Sequence, residues 1–168
     1  MTAPAQLSRR QFLKTRAALC ACALVPDTRA ASREKLISKP IPSSGEAIPV
    51  IGLGSSRTFN VGDDTAARNT CAEVIRQFLD AGGSMLDSSP MYGSSQPVIG
   101  YALDKLGRSS QVFSADKVWT PAPGKGRQQM EASRRYWGVP GFDLMQVHNL
   151  VSWQEHLETL YEMKAAGN

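Results

Sequence analysis

The sequence predicts an α/β fold built on a parallel sheet. Three observations carry this expectation. Short apolar runs recur near residues 50, 86, 114 and 145. Stretches with helical periodicity separate them. Polar residues gather at the C-terminal ends of the later runs, where parallel strands present ligand-binding groups. The spacings of 36, 28 and 31 residues suit strand–helix–strand crossovers, and strands covered by helices are apolar on both faces. An open doubly wound sheet and part of a (β/α)8 barrel both satisfy this pattern.

The elements follow in order. Residues 31–46 are polar and rich in Pro and Ser, and read as a linker. Ile48–Leu53 reads as a short buried strand. Thr65–Ala81 reads as a helix with Cys71, Val74, Ile75, Phe78 and Leu79 on one face, stopped by Gly82 and Gly83. Ser84–Ser88 is the second strand. Ser95–Leu106 is a helix whose apolar face is Val98, Ile99, Ala102, Leu103 and Leu106, with Gly107 as its stop. Gln111–Val118 is the third strand, Gly126–Trp137 a more polar helix, and Phe142–Val147 the fourth strand. Ser152 caps a last helix whose stripe is Trp153, Leu157, Leu160, Tyr161 and the stem of Lys164.

Charge is distributed unevenly. The 168 residues have a formal net charge of +4. Residues 1–30 hold Arg9, Arg10, Lys14, Arg16 and Arg29 against Asp27, while the remainder holds equal numbers of basic and acidic side chains. The balanced remainder argues against a nucleic-acid partner. The N-terminus reads as a targeting segment: the pair Arg9-Arg10, an apolar run from Ala17 to Val25, then small residues at Ala30–Ser32. It resembles a bacterial twin-arginine signal, implying the export machinery as a partner and a periplasmic or exported destination. The apolar run is shorter than the ~20 residues that span a bilayer, so no stable membrane insertion is expected. Cleavage after Ala30 would remove Cys20 and Cys22 and leave Cys71, on an apolar helix face, as a buried thiol. No Cys/His cluster has metal-ligand spacing.

Asp87, Tyr92, Lys117 and His148 fall at or just after the ends of three successive strands, and in a parallel fold such ends converge. Together they suit acid–base chemistry with Tyr92 as proton donor. A free phenol titrates near ~10, and an adjacent ammonium such as Lys117 favours the phenolate. Asp87 can hold that ammonium, and His148 can orient a substrate oxygen beside Tyr92. Nothing in the chain supplies a hydride, so reduction of a carbonyl calls for a nicotinamide cofactor. Gly52-Leu53-Gly54 lacks the third glycine and the later acid of a dinucleotide-binding turn, and Gly124-Lys125-Gly126 lacks a P-loop's ending.

Ile48–Gly54, Leu86-Asp87 with Tyr92-Gly93, Ala115-Asp116-Lys117 and Asp143–His148 together resemble the aldo/keto reductase family of NADP-dependent (β/α)8, or TIM, barrels. The resemblance implies the tetrad Asp87, Tyr92, Lys117 and His148, with substrate at Tyr92 and His148. It implies NADP(H) contacts from the loop after the first strand, at Ser55, Ser56 and Arg57, and from Asp87 near the nicotinamide ribose. Ser56 stands where the family often has Trp. A complete barrel takes about 250 residues. Residues 47–168 are accordingly expected to be the first four β–α units of an incomplete barrel. Such a chain should bind cofactor weakly and turn over little. The alternative is a non-catalytic exported half-barrel that binds a partner or self-associates through its open edges.

Overall fold

The computed structural model describes residues 36–167. The twin-arginine pattern, Cys20, Cys22 and residues 31–35 of the expected linker lie outside the described residues.

A hairpin comes first. β1 (Ser38–Pro40) pairs antiparallel with β2 (Ala47–Pro49). The Ile41 N–H closes the turn on the Glu46 carbonyl at 2.8 Å, and Gly45 supplies its left-handed residue at φ 76°. This corrects two sequence expectations: the linker holds a strand, and the apolar run 48–53 is not one strand. Its first two residues belong to the hairpin. Val50 and Ile51 lie exposed, and only Leu53 enters the main sheet. Pro49 and Gly52 bracket the break, since neither favours a continuous ladder.

The main sheet contains β3 (Leu53–Gly54), β4 (Met85–Asp87), β5 (Phe113–Val118) and β6 (Leu144–Val147), all parallel and in sequence order. Among the described residues four α-helices accompany them: α1 (Thr65–Asp80), α2 (Ser95–Leu106), α3 (Gly126–Trp137) and α4 (Trp153–Ala165), and each packs on the next. A doubly wound sheet reverses its strand order partway. Here every crossover steps the same way, as around a barrel wall.

Local chemistry sets the helix limits. The Asp64 carboxylate caps α1, accepting from the Ala66 and Ala67 N–H groups at 2.8 and 3.1 Å. α2 ends at Gly107, in the left-handed conformation with φ 63°. The core lies between helices and sheet and includes Ile75, Leu79, Val98, Ile99, Leu103 and Trp137. Full burial of such a side chain stabilises by about 1.5–3 kcal/mol. Two expected faces differ. Val74 is exposed, and α1 buries Ala72 instead. On α4, Trp153 and Tyr161 are exposed, and the buried residue is His156. Its Nε2–H donates to the Thr120 carbonyl at 2.8 Å. Nor does the Ser152 side chain cap α4; its hydroxyl reaches the Pro121 carbonyl at 3.3 Å.

Candidate active site

The register of the sheet gathers the polar strand ends. Gly54 aligns with Asp87, Asp87 with Ala115, and Lys117 with Gln146. Asp87 therefore closes β4, Lys117 sits one residue from the end of β5, and His148 directly follows β6. Asp143 holds this alignment from the other end. Its carboxylate accepts from the Ser114 N–H at 2.7 Å and the Ser114 hydroxyl at 2.8 Å, tying the entry to β6 onto the start of β5.

Lys117 is the centre of the cluster. Its Nζ donates to Asp87 Oδ1, Asp87 Oδ2 and the Ser88 carbonyl, each at 2.7 Å. Those three bonds use all three ammonium protons. The Nζ also lies 5.4 Å from the centroid of the Tyr92 ring, within cation–π range. With its three protons taken, the Lys117 ammonium meets Tyr92 at the ring face rather than through a hydrogen bond to the hydroxyl. The Tyr92 and His148 rings meet edge-on, with centroids 5.7 Å apart and planes at 86°. Burial, and then the Lys117 charge, hold the His148 imidazole below its usual range, against an opposing effect of Asp87. A neutral ring at neutral pH keeps one N–H to donate.

Two loops fix the turn that carries Tyr92. The Tyr92 N–H bonds the Ser89 carbonyl at 3.0 Å, and the Ser95 hydroxyl bonds the Tyr92 and Ser55 carbonyls at 2.8 and 2.9 Å. From the loop after β3, Asn60 Oδ1 accepts from the Ser94 N–H at 2.9 Å. Neither Asn60, in the loop after β3, nor Ser95, the first residue of α2, carries a sequence signal for these bracing bonds, which join segments more than 30 residues apart. After β6 the chain turns sharply: Asn149, Leu150 and Ser152 have φ of 54°, 56° and 47°. Left-handed non-glycine residues each cost about 1–2 kcal/mol, and strain of this kind concentrates beside functional groups.

The residues expected to meet a cofactor divide in two. Ser56 and Arg57 are exposed at a cleft of about 400 Å³ whose lining includes Thr58, Asp87 and Tyr92. Ser55 also lines it, but its hydroxyl turns back to the Asp87 carbonyl at 2.8 Å. That bond makes it a brace for the end of β4.

Asp116, next to Lys117, points away from the cleft and is fully buried. Its Oδ1 accepts from the Lys117 N–H and its Oδ2 from Gln96 Nε2, both at 2.7 Å; Gln96 Nε2 also lies 2.8 Å from the Ser133 hydroxyl. One carboxylate thereby links β5 to α2 and α3. Burial pushes its carboxyl up to about 6, although hydrogen bonds from Lys117 N–H and Gln96 and the Lys117 charge pull downward. The folded state therefore binds this proton more tightly than the unfolded chain, where an Asp titrates near ~3.9. Its stabilising contribution is complete below about pH 4 and gone above about pH 6. Between about pH 4 and pH 7, urea unfolding should show wild type losing roughly 2–3 kcal/mol relative to Asp116→Asn. Parallel pH dependences in the two proteins would contradict this.

The Aldo/keto reductase family is matched over residues 50–168. The methylglyoxal reductase YeaE of Escherichia coli (strain K12) is 31% identical over 115 residues, covering 66% of this chain and 39% of that protein. The aldo-keto reductase YhdN of Bacillus subtilis (strain 168) is 29% identical over 144 residues, covering 76% and 43% respectively. Among solved structures, an aldo-keto reductase from Klebsiella pneumoniae in complex with NADPH superposes with a TM-score of 0.65 at 25% identity, covering 79% of this chain and 47% of that one. The chain spans about two fifths of the length of the curated relatives it matches.

Proposed function

The chain belongs to the aldo/keto reductase family, and on that premise we propose that it carries the proton-donating part of a site for NADP(H)-dependent reduction of a small carbonyl compound to an alcohol. The observation that carries the reading is the Lys117 ammonium, held by Asp87 and Ser88 against the Tyr92 ring with His148 at the ring's edge.

In this reading the carbonyl oxygen accepts hydrogen bonds from the His148 imidazole N–H and the Tyr92 hydroxyl. Tyr92 Oη gives its proton to that oxygen as negative charge develops there. The ammonium steadies the phenolate that remains, and Asp87 holds the ammonium in place. A bound nicotinamide dinucleotide supplies the hydride. Residues lining the cleft beside β3 would hold it: Ser56 would offer a hydroxyl, Arg57 a guanidinium, and the Asp87 oxygens lone pairs for a ribose hydroxyl.

We further infer that the four parallel strands are one sector of an eight-stranded barrel. The unreversed strand order supports this, as does the match to about half the length of a solved relative. Residues from the remaining wall would hold the rest of the dinucleotide. NADPH titration followed by tryptophan fluorescence, with methylglyoxal among the carbonyls then tested, checks the reading. The 168-residue chain should bind weakly and turn over far below a typical kcat of ~10 s⁻¹. A rate near that value would overturn the partial-site reading.

A further inference from the structure

We propose that Met91 is an oxidation-sensitive gate on His148. Its thioether occupies the hydrogen-bonding position of the imidazole Nε2, and conversion to the sulfoxide by a peroxide closes that position to a carbonyl oxygen. The last step rests on the reading of His148 as the group that orients the carbonyl.

Met91 immediately precedes Tyr92 in the same turn, where its own N–H donates to the Ser89 hydroxyl at 3.2 Å. Its Sδ lies 3.2 Å from His148 Nε2 and 3.9 Å from Asn149 Nδ2. A thioether sulfur has no proton to give and accepts only weakly. Taken as a hydrogen bond, the contact places the His148 proton on Nε2, the same proton a carbonyl oxygen would use. In the reduced protein Met91 holds this tautomer and yields readily to a better acceptor.

Two features make the sulfur a modification site. Met91 is 47% exposed, whereas Met85, Met130, Met145 and Met163 are buried or half-buried, so among the methionines of the described residues a small oxidant reaches Met91 first. Two N–H donors also converge on it, from His148 and from Asn149 in the strained turn after β6. Sulfoxide oxygen is a polar acceptor and normally disrupts its surroundings; here donors are already in place for it. The chemistry balances with hydrogen peroxide as oxidant. A sulfur lone pair attacks one peroxide oxygen, the O–O bond breaks, the S–O bond forms and water departs. Sulfur loses two electrons and the peroxide gains them. Methionine sulfoxide reductases reverse the change.

Treating the full chain with dilute hydrogen peroxide tests the proposal by peptide mass spectrometry and by ¹⁵N NMR of the imidazoles. Met91 should gain one oxygen several-fold faster than Met85, Met130, Met145 and Met163, with the His148 Nε2 resonance shifting in step. In Met91→Leu, a near volume-conserving change at a half-exposed position, peroxide should leave that resonance unmoved. Oxidation of Met91 no faster than of Met85, Met145 or Met163 would overturn the proposal. So would a His148 signal indifferent to oxidation, or one that shifts equally in Met91→Leu. These readouts need neither cofactor nor turnover. If the carbonyl-reduction reading fails, that shows separately, as absent NADPH consumption by a chain whose Met91 and His148 still respond together.

Discussion

Lys117→Met should cost both stability and function. The variant leaves the Asp87 carboxylate without the ammonium that bonds both its oxygens, and leaves the Ser88 carbonyl without its donor. Breaking a buried pair by removing one partner costs more than the pair contributes, about 3–5 kcal/mol when no water reaches the survivor. The Asp87 side chain is 31% exposed, so we expect roughly 2–3 kcal/mol in urea unfolding. The double variant Asp87→Asn/Lys117→Met should recover part of that loss, because no unpaired charge remains. Proton transfer from Tyr92 should slow by about 10²–10⁴-fold, the span assigned to positioned acid–base groups. A stable single variant, or a double variant less stable than the single one, would contradict the pairing.

Gly100→Ala should be the most damaging small substitution in the fold. Gly100 lies on α2 where that helix crosses α3. A Cβ there would fall inside the van der Waals envelope of the Tyr136 carbonyl oxygen, 2.9 Å from the Tyr136 carbonyl carbon and 3.3 Å from the Trp137 Cα. All three are backbone atoms of a packed helix and cannot turn aside, so α2 and α3 must separate. Overpacking of this kind costs typically 1–3 kcal/mol, occasionally more, and backbone contact puts Gly100 at the upper end. Gly141→Ala is the control: its Cβ would meet nothing within 4 Å, and surface changes of that kind fall within about 0.5 kcal/mol. Equal midpoints for the two variants would contradict the close crossing.

The contrast between these two sites shows what the sequence could reveal. The end of α2 was legible because Gly107 marks it with a local conformation. The limits of α2 and α3 match the sequence expectation residue for residue. The convergence of Asp87, Tyr92, Lys117 and His148 was legible because parallel strands must align their ends. Gly100 was not, since its role is set by a neighbouring helix. The β1–β2 hairpin was hidden because the apolar run at 48–53 looks continuous until its partner strand is placed. Nothing adjacent in sequence marks Asp116 or His156 as fully buried. Their burial depends on Gln96, Ser133 and Thr120, which are distant in sequence. The separation of Ser55, which braces β4, from Ser56, which faces the cleft, depends on side-chain direction in an irregular loop.

Tyr92 is the proposed proton donor. That role is tested most directly by comparing NADPH-dependent reduction of methylglyoxal by the 168-residue chain and by Tyr92→Phe. Phenylalanine keeps the ring that Lys117 and His148 flank and removes only the hydroxyl. We predict slow turnover by the wild-type chain and a fall of at least ~100-fold in the variant, with unchanged NADPH affinity. Equal rates in the two proteins would contradict the assignment.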